Sequence, residues 1–288
     1  MKIIRIAGGI GNQLFQYAFY REQLARGNNA TVDISWFDNT NRKFYYPLQL
    51  RQINFEFHEI RRNRIRLYLP SKVYFALPHY VRDIEFIYRY CFYSSDYVHN
   101  ASYSFEPQLF ESTNDYLHGY WINYKYFENC KDELMNEVCF PDCGEETRQF
   151  ENKILENESV SIHIRMNDYS FEEFEKDKGD YYYRAIELIS NRVNNPHFFV
   201  FSNRIDAARK ILLRNDVPIT YVDMNDRYNG LGDMKLISMC KHNIISASTF
   251  SFWAAFFNKN NKKIVIVPRN WNKSTDSGSI VFPEWIKL

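Results

Sequence analysis

The sequence has no apolar run long enough to cross a membrane, few cysteines and no excess of either charge. A membrane-spanning helix needs about 18 or more consecutive apolar residues, and the chain has no such run. Its 36 basic and 35 acidic residues leave a net charge of +1, which excludes the strongly basic footprint of a nucleic-acid-binding protein. Five cysteines in 288 residues favour reduced thiols in a cytoplasmic protein over a disulfide framework. Met1 leads directly into a strand pattern, so we expect no signal peptide.

Several common catalytic patterns are also absent. No Asp-x-Asp pair is present to clamp a metal-bound sugar nucleotide, and no G-x-S-x-G elbow is present. Cys139 and Cys143 have no second Cys/His pair at zinc spacing. We therefore expect no metal site.

A β-α-β unit is predicted at the N-terminus. Lys2–Ala7 is a short apolar run, followed by a turn that contains Gly8, Gly9 and Gly11. The apolar spacing over 12–25 predicts a helix buried on one side, and 30–34 reads as the next strand. The turn leaves a gap large enough for a phosphate or a substrate.

Two kinds of ligand suit this turn. Gly9 and Gly11 partly match the dinucleotide fingerprint, with an acidic residue, Asp33, ending the next strand. An NAD-dependent oxidoreductase is therefore an alternative, although Leu14 occupies the third glycine position. Asn12 and Gln13 also carry amides that hydrogen-bond hydroxyl groups.

The segment Arg61–Tyr93 combines basic and aromatic residues. It has seven Lys or Arg, two acids and nine Phe or Tyr. The composition fits solvated helices, or a peripheral contact with an anionic membrane surface.

A second β-α-β series follows a Pro- and Gly-punctuated stretch near 140–144. We place a domain boundary there, giving domains 1–142 and 143–288. Strands are predicted at 160–164, 198–202, 219–222, 242–247 and 264–267, with helices between them. This alternation predicts an α/β fold with parallel sheets covered by helices.

Two groups of residues in this series are suited to binding an anion. His163 and Arg165 share one face at the carboxyl end of a strand, where open α/β sheets bind ligands. The guanidinium of Arg165 matches phosphate oxygens. Residues 246–251, SASTFS, open a helix, and such a start either caps the helix or binds diphosphate.

Together, three blocks resemble the α-1,2-fucosyltransferases of glycosyltransferase family 11. They are GGIGNQLFQYAFYREQLA at 8–25, SIHIRMNDY at 161–169 and DMKLISMCKHNIISASTFSFWAAFFN at 233–258. The blocks stand in the family's order. The resemblance implies a GT-B-like fold, with two Rossmann-like domains facing a cleft, the N-terminal one on the acceptor side and the C-terminal one binding GDP-fucose.

The same resemblance implies a reaction and a setting. L-Fucose would move from GDP-fucose, a substrate, to the 2-hydroxyl of a galactose-containing acceptor, with inversion, in O-antigen or capsule synthesis. The reaction would need neither a metal nor a cofactor. The enzyme would be cytoplasmic, with a possible membrane contact through 61–93. A non-catalytic glycan-binding module is the further alternative.

Residue roles also follow from the resemblance. His163 and Arg165 would meet the donor diphosphate, Asp233 the guanine or ribose, and Asn12 and Gln13 the fucose and acceptor. The remaining expected donor contacts are Gly11, Ser248, Thr249, Phe250 and Ser251. Asp168 is the first candidate for a general base and His163 the second, and Asn12 completes the expected catalytic set.

Overall fold

The computed structural model describes most of the chain, in two compact units, Met1–Val138 and Cys139–Leu288. The described residues are 1–38, 46–60, 78, 81, 98–100, 103–111, 116–166, 180–212, 216–224, 230–272 and 275–288. Asp168 and most of the basic segment 61–93 lie outside them. Within the described ranges, no helix has the length and apolar character needed to span a membrane.

The N-terminal unit is built on a parallel sheet. Its elements are β1 (Lys2–Arg5), α1 (Ile10–Ala25), β2 (Ala30–Asp33), β3 (Val98–Asn100), β4 (Tyr116–Gly119) and α2 (Lys131–Glu137). The strand order across the described residues is β2-β1-β4-β3, and every pair is parallel. The predicted β-α-β unit is confirmed.

Helix α1 is buried on more sides than its apolar spacing predicts. Leu14, Phe15 and Phe19 enter the core as expected, but Gln16 and Glu22 are fully buried too. Burial of these polar groups is tolerated because each has partners. The Glu22 carboxylate accepts hydrogen bonds from Arg26 Nε at 2.9 Å and from Asn129 Nδ2 at 2.6 Å.

The sequence over 126–138 has the pattern of one continuous helix, but the structure begins the α-helix later. Helix α2 starts only at Lys131, after two 3₁₀ turns at Tyr124–Tyr126 and Glu128–Cys130. The Asn123 side chain caps the first turn by accepting a hydrogen bond from Lys125 N at 3.1 Å. Phe127, with φ −144° and ψ 20°, then interrupts the helical path, so the backbone cannot form one continuous α-helix.

The C-terminal unit contains a longer parallel sheet. In chain order its elements are α3 (Glu145–Leu155), β5 (Glu158–Ile164), α4 (Asp180–Ser190), β6 (Pro196–Ser202), α5 (Ile205–Ile211), β7 (Ile219–Tyr221), α6 (Leu231–Met239), β8 (His242–Ile244), α7 (Thr249–Phe256), β9 (Val265–Val267), β10 (Asn270–Asn272), β11 (Thr275–Asp276) and β12 (Ile286–Lys287). The sheet order within the described residues is β12-β9-β8-β5-β6-β7. Strands β10 and β11 form a separate antiparallel pair.

Each sheet has a point where the chain reverses its direction of travel across the strands. In the C-terminal unit the strands β5, β6 and β7 run to one side, whereas β8, β9 and β12 run to the other. In the N-terminal unit, β1 is followed by β2 on one side and has β4 on the other. Open α/β sheets bind ligands at the carboxyl ends of the strands that flank such a point, here β5/β8 and β1/β4.

Candidate active site

The carboxyl ends of β5 and β8 bring several of the sequence-predicted residues together. His163 is the penultimate residue of β5 and Arg165 directly follows that strand, while Ser246 lies two residues beyond the end of β8. The neighbouring strands place these ends side by side, with Ile162 opposite Ile244. The residues predicted to meet the diphosphate therefore lie at the β5/β8 switch point.

Ser246 ties the two strand ends together. Its hydroxyl donates to the His163 carbonyl oxygen at 2.7 Å and accepts from the Arg165 N–H at 2.9 Å. The Tyr182 hydroxyl, from α4, lies 3.1 Å from the Ser246 oxygen. Both Ser246 and Tyr182 are buried. This network fixes the backbone from which the Arg165 side chain projects.

His163 is a buried, neutral imidazole. Its Nδ1 is hydrogen-bonded to the Ser251 hydroxyl in the first turn of α7, and its ring centroid lies 5.2 Å from that of Phe250. Burial and, secondarily, the nearby Arg165 charge lower the pKa of His163 to about 3. Such an imidazole is a poor proton acceptor at neutral pH, so the geometry favours a positioning role for His163 over that of a general base.

Helix α7 opens beside this histidine. Ser248 stands at the N-cap with extended backbone, φ −148° and ψ 135°, and its side chain makes no capping hydrogen bond. Ser248, Thr249 and Phe250 are half-buried, whereas Ser251 is fully buried against His163. The first turn of a helix presents N–H groups and the positive end of its dipole, so this turn can hold an anion next to Arg165.

Asp233 lines an open pocket that adjoins the same helix start. The residues around this pocket are Cys143, Glu146, Thr147, Met224, Gly230, Gly232 and Asp233. The ring of Phe250 lies against Gly230, where an added Cβ would come within 3.1 Å of Phe250 Cε2. Phe250 thus packs between His163 and the Asp233 pocket. Only the Phe250 side chain therefore separates the pocket of Asp233, predicted to contact guanine or ribose, from His163, predicted to contact the diphosphate.

In the N-terminal unit the Gly-rich turn follows β1. Gly8 has φ +81°, and a Cβ there would lie 3.1 Å from the Asn12 amide nitrogen. Gly11 is buried at the start of α1 and Asn12 is half-buried. Glycine at position 8 therefore permits both the left-handed backbone and the close approach of the Asn12 side chain.

Gln13 is used entirely by the protein's own backbone. Its side chain is fully buried. The amide nitrogen donates to the carbonyl oxygens of Gly8 and Pro47, both at 2.8 Å, and the amide oxygen accepts from Gln49 N at 3.0 Å. This geometry gives Gln13 a structural task at the turn, different from the donor contact that the resemblance implies.

Sequence reasoning missed the side chains that hold the site together. Ser246 was predicted only as part of the helix start 246–251, not as a link between strand ends. Tyr182 and Asn203 were not predicted as site residues, and the Asn203 side-chain oxygen accepts from Met166 N at 3.0 Å. Asn203 follows β6, the other neighbour of β5. Polar residues just beyond adjacent parallel strands are the signal that could have identified Ser246 and Asn203.

The arrangement in the C-terminal unit is suited to a diphosphate with growing negative charge. It combines an arginine, a helix N-terminus and hydroxyl groups around one strand end. Among the described residues, no group of three or more His, Cys, Asp or Glu side chains is placed to hold a metal ion.

Comparison with known proteins gives a family match over the full length. The model of glycosyl transferase family 11 matches residues 1–288. An alpha-1,2-colitosyltransferase of Escherichia coli is 28% identical over 99% of this chain and 98% of the relative. The O-antigen biosynthesis glycosyltransferase WbnK of Escherichia coli is also 28% identical, over 98% of this chain and 99% of the relative.

The fold is also shared with a solved structure. The fucosyltransferase NodZ from Bradyrhizobium superposes with a TM-score of 0.51 at 14% identity, over 88% of this chain and 90% of that one. The fold is therefore α/β and GT-B-like, with a Rossmann-like parallel sheet in each unit, as the sequence predicts.

Proposed function

The chain belongs to glycosyltransferase family 11, and we propose that it moves L-fucose from GDP-fucose to the 2-hydroxyl of a galactose-containing acceptor. The transfer would invert the anomeric carbon and build a surface glycan such as an O-antigen or a capsule. Membership in this family argues against the alternative that the chain is an NAD-dependent oxidoreductase. The carrying observation is the convergence of Arg165, the start of α7 and the Asp233 pocket at the β5/β8 switch point.

In this proposal the C-terminal unit binds the donor nucleotide. Arg165 and the first-turn N–H groups of α7 contact the diphosphate, with Ser248 and Thr249 contributing hydroxyl groups. Asp233 receives the guanine or the ribose in its pocket. His163, Phe250 and Ser251 form the packed support between these two contacts.

The chemical step breaks one bond and forms another. The acceptor oxygen attacks the anomeric carbon of fucose, the carbon–oxygen bond to the β-phosphate breaks, and GDP leaves with the electron pair. Arg165 and the α7 dipole stabilise the charge that grows on GDP, which is the main electrostatic demand of the transition state.

The acceptor proton needs a destination. We assign it to Asp168, which lies outside the described residues, because the lowered pKa of His163 removes the second candidate. Gly11 and Asn12 of the N-terminal turn are proposed to contact the fucosyl group, with Asn12 held at the turn by its close approach to Gly8.

A second donor sugar has its own support. The E. coli relative named as an alpha-1,2-colitosyltransferase aligns over nearly the whole chain. Colitose is L-fucose without its 3-hydroxyl group, so both sugars present the same anomeric carbon and 6-methyl group. The C-terminal nucleotide site serves either sugar unchanged.

The test is a direct comparison of donors. Purified protein is incubated with GDP-fucose or GDP-colitose and a panel of galactosides, GDP release is measured, and the product linkage is determined by NMR. An α-1,2 fucosyl product, formed faster than its colitosyl counterpart, is the expected result. A colitosyl product alone would reassign the donor, and GDP binding without any product would favour the glycan-binding module.

A further inference from the structure

Two exposed tyrosines flank the Gly-rich turn of the N-terminal unit. The large apolar side chains exposed among the described residues are Met1, Leu24, Tyr46, Tyr120 and Leu155. Tyr46 and Tyr120 are each 40% exposed. Both lie at the carboxyl edge of the sheet, whereas the other three have no such placement in common. Exposed aromatic rings beside a predicted ligand crevice indicate a binding surface.

Gln13 positions Tyr46, the tyrosine on one side of the turn. Its amide joins Gly8 to the backbone of Pro47 and Gln49, and Pro47 directly follows Tyr46. The Tyr46 ring lies against Gly9, where an added Cβ would come 3.4 Å from ring atom Cδ1. The buried amide therefore fixes Tyr46 against the turn.

Gln16 positions Tyr120, the tyrosine on the other side of the turn. Its amide nitrogen donates to the Gly119 carbonyl oxygen at 3.0 Å, and its amide oxygen accepts from Ala7 N at 2.8 Å. These contacts join the ends of β4 and β1 directly before Tyr120. The next residue, Trp121, is fully buried and stacks on Phe19, with ring centroids 4.3 Å apart. Tyr120 is thus anchored on both sides.

The two tyrosines therefore lie at the carboxyl ends of β1 and β4, the switch point at which an open parallel sheet binds its ligand. We propose, on the basis of the proposed function, that Tyr46 and Tyr120 form the platform on which the galactoside acceptor stacks. Gln13 and Gln16 are the positioning residues that hold the two rings.

The chemistry of the acceptor suits this platform. A galactose ring has one face of C–H groups that packs on an aromatic face, while its hydroxyl groups bind polar atoms. Tyrosine offers both an apolar ring and a hydroxyl group. The acceptor sugar carries no charge, unlike the donor, so aromatic rings suit it better than charged groups would.

Single substitutions of the two exposed rings test the assignment. We compare Tyr46→Ala, Tyr120→Ala, Tyr46→Phe and Tyr120→Phe in transfer assays with N-acetyllactosamine as the acceptor. Loss of one ring contact is expected to raise the acceptor KM by about fivefold or more, with unchanged donor KM and GDP affinity. The Phe variants, which keep the ring, should retain most of the affinity.

Leu24→Ala is the matched control. Leu24 is 39% exposed in the same unit but lies near the far end of α1, about 20 Å along the helix from the turn. We expect it to leave all kinetic constants unchanged. An unchanged acceptor KM in both Tyr→Ala variants would overturn the proposal, and so would a matching rise in the donor KM.

The positioning role has a separate test. If Gln13 acts on the acceptor through Tyr46, the effects of Gln13→Met and Tyr46→Ala on the acceptor KM should not add in the double variant. Full additivity would overturn that role.

If the proposed function is wrong, the wild-type protein itself will transfer no fucose, which distinguishes that failure from failure of the platform. In that case, saturation-transfer NMR with N-acetyllactosamine tests whether the two tyrosines bind the sugar. Signals lost in the Tyr→Ala variants would support it, and equal or absent signals for all proteins would overturn it.

Discussion

At the scale of single residues, Arg165 has the largest expected effect on transfer. In the proposed mechanism its side chain stabilises the charge that grows on GDP, and removal of one preorganised donor of this kind typically costs about 100- to 1000-fold in rate. We therefore expect Arg165→Ala to lose at least about 100-fold in kcat/KM, and Arg165→Lys to recover little because an ammonium lacks the planar fork.

The control for this prediction is Arg184→Ala, which removes an exposed arginine of α4 whose Nε pairs with Asp180 at 3.2 Å. We expect near-normal turnover from the control. If Arg165→Ala lowers the melting temperature but keeps normal turnover below it, Arg165 is structural and the donor-site assignment is wrong.

His163 makes stability depend on pH. Its folded-state pKa of about 3 lies below the unfolded value, so the unfolded chain binds the extra proton between those two values. The contribution of His163 to the free energy of unfolding is fully present above about pH 6.5. It falls as the pH drops, by up to about 1.4 kcal/mol per pH unit. The fall begins well above the folded pKa.

The measurement is the melting temperature at pH 7 and pH 5 for wild type and His163→Gln. Between pH 7 and pH 5, protonation linked to His163 should lower the free energy of unfolding by about 2 kcal/mol and the melting temperature by about 5 °C. The variant should lack this decrease. His197 and His242, whose pKa values are also lowered by burial, are common to both proteins. Equal shifts in the two proteins would contradict a neutral, buried His163.

At the scale of elements, the turn between β1 and α1 couples backbone conformation to the Asn12 side chain. Gly8→Ala places a Cβ on a left-handed residue and 3.1 Å from Asn12 Nδ2. Gly27→Ala places one at φ +78° with no heavy atom within 4 Å. Both variants should lose about 1 to 2 kcal/mol of stability through backbone strain.

Transfer activity separates the two variants. Only Gly8→Ala should slow transfer, because only its new methyl group displaces Asn12. We would measure kcat/KM for both, each well below its melting temperature. Comparable activity in the two variants would show that Asn12 has no part in the reaction.

Elements were predictable from sequence where the local pattern determines them. The alternation of Val160, Ile162 and Ile164 with polar residues identifies β5, because successive side chains of a strand point to opposite faces of the sheet. The alternation does not predict that both faces of β5 are buried. The role of Gln13 was not predictable, because its partners Pro47 and Gln49 lie 34 and 36 residues further along the chain. The late start of α2 likewise depends on a local cap at Asn123 that competes with the helical pattern.

Candidate-site residues divide in the same way. His163 and Arg165 were found because strand periodicity places them on one face at a carboxyl end. Ser246 acts through contacts across two strands, to His163 and Arg165 more than 80 residues away in sequence. Such a bond depends on the order of strands in the sheet, which the periodicity of a single strand does not determine.

At the scale of the whole molecule, the nearly neutral net charge of +1 conceals the basic, aromatic segment 61–93. If this segment contacts lipid headgroups, the protein should co-sediment with vesicles containing phosphatidylglycerol at low salt and be released at about 0.3 M salt, where screening is strong. Phosphatidylcholine vesicles are the control. Equal recovery in the supernatant with both lipids at low salt would contradict the membrane contact.

The charge balance of the reaction gives the last prediction, independence from divalent metal. A GDP leaving group must be neutralised as it departs. The sequence has no Asp-x-Asp pair, and Arg165 with the N-terminus of α7 supplies positive potential at the β5/β8 switch point. Initial rates in excess EDTA should therefore stay within about twofold of the untreated rates, because this electrostatic stabilisation comes from the chain itself. Loss of most activity on chelation, restored by Mn²⁺, would show that a cation carries the charge assigned here to Arg165.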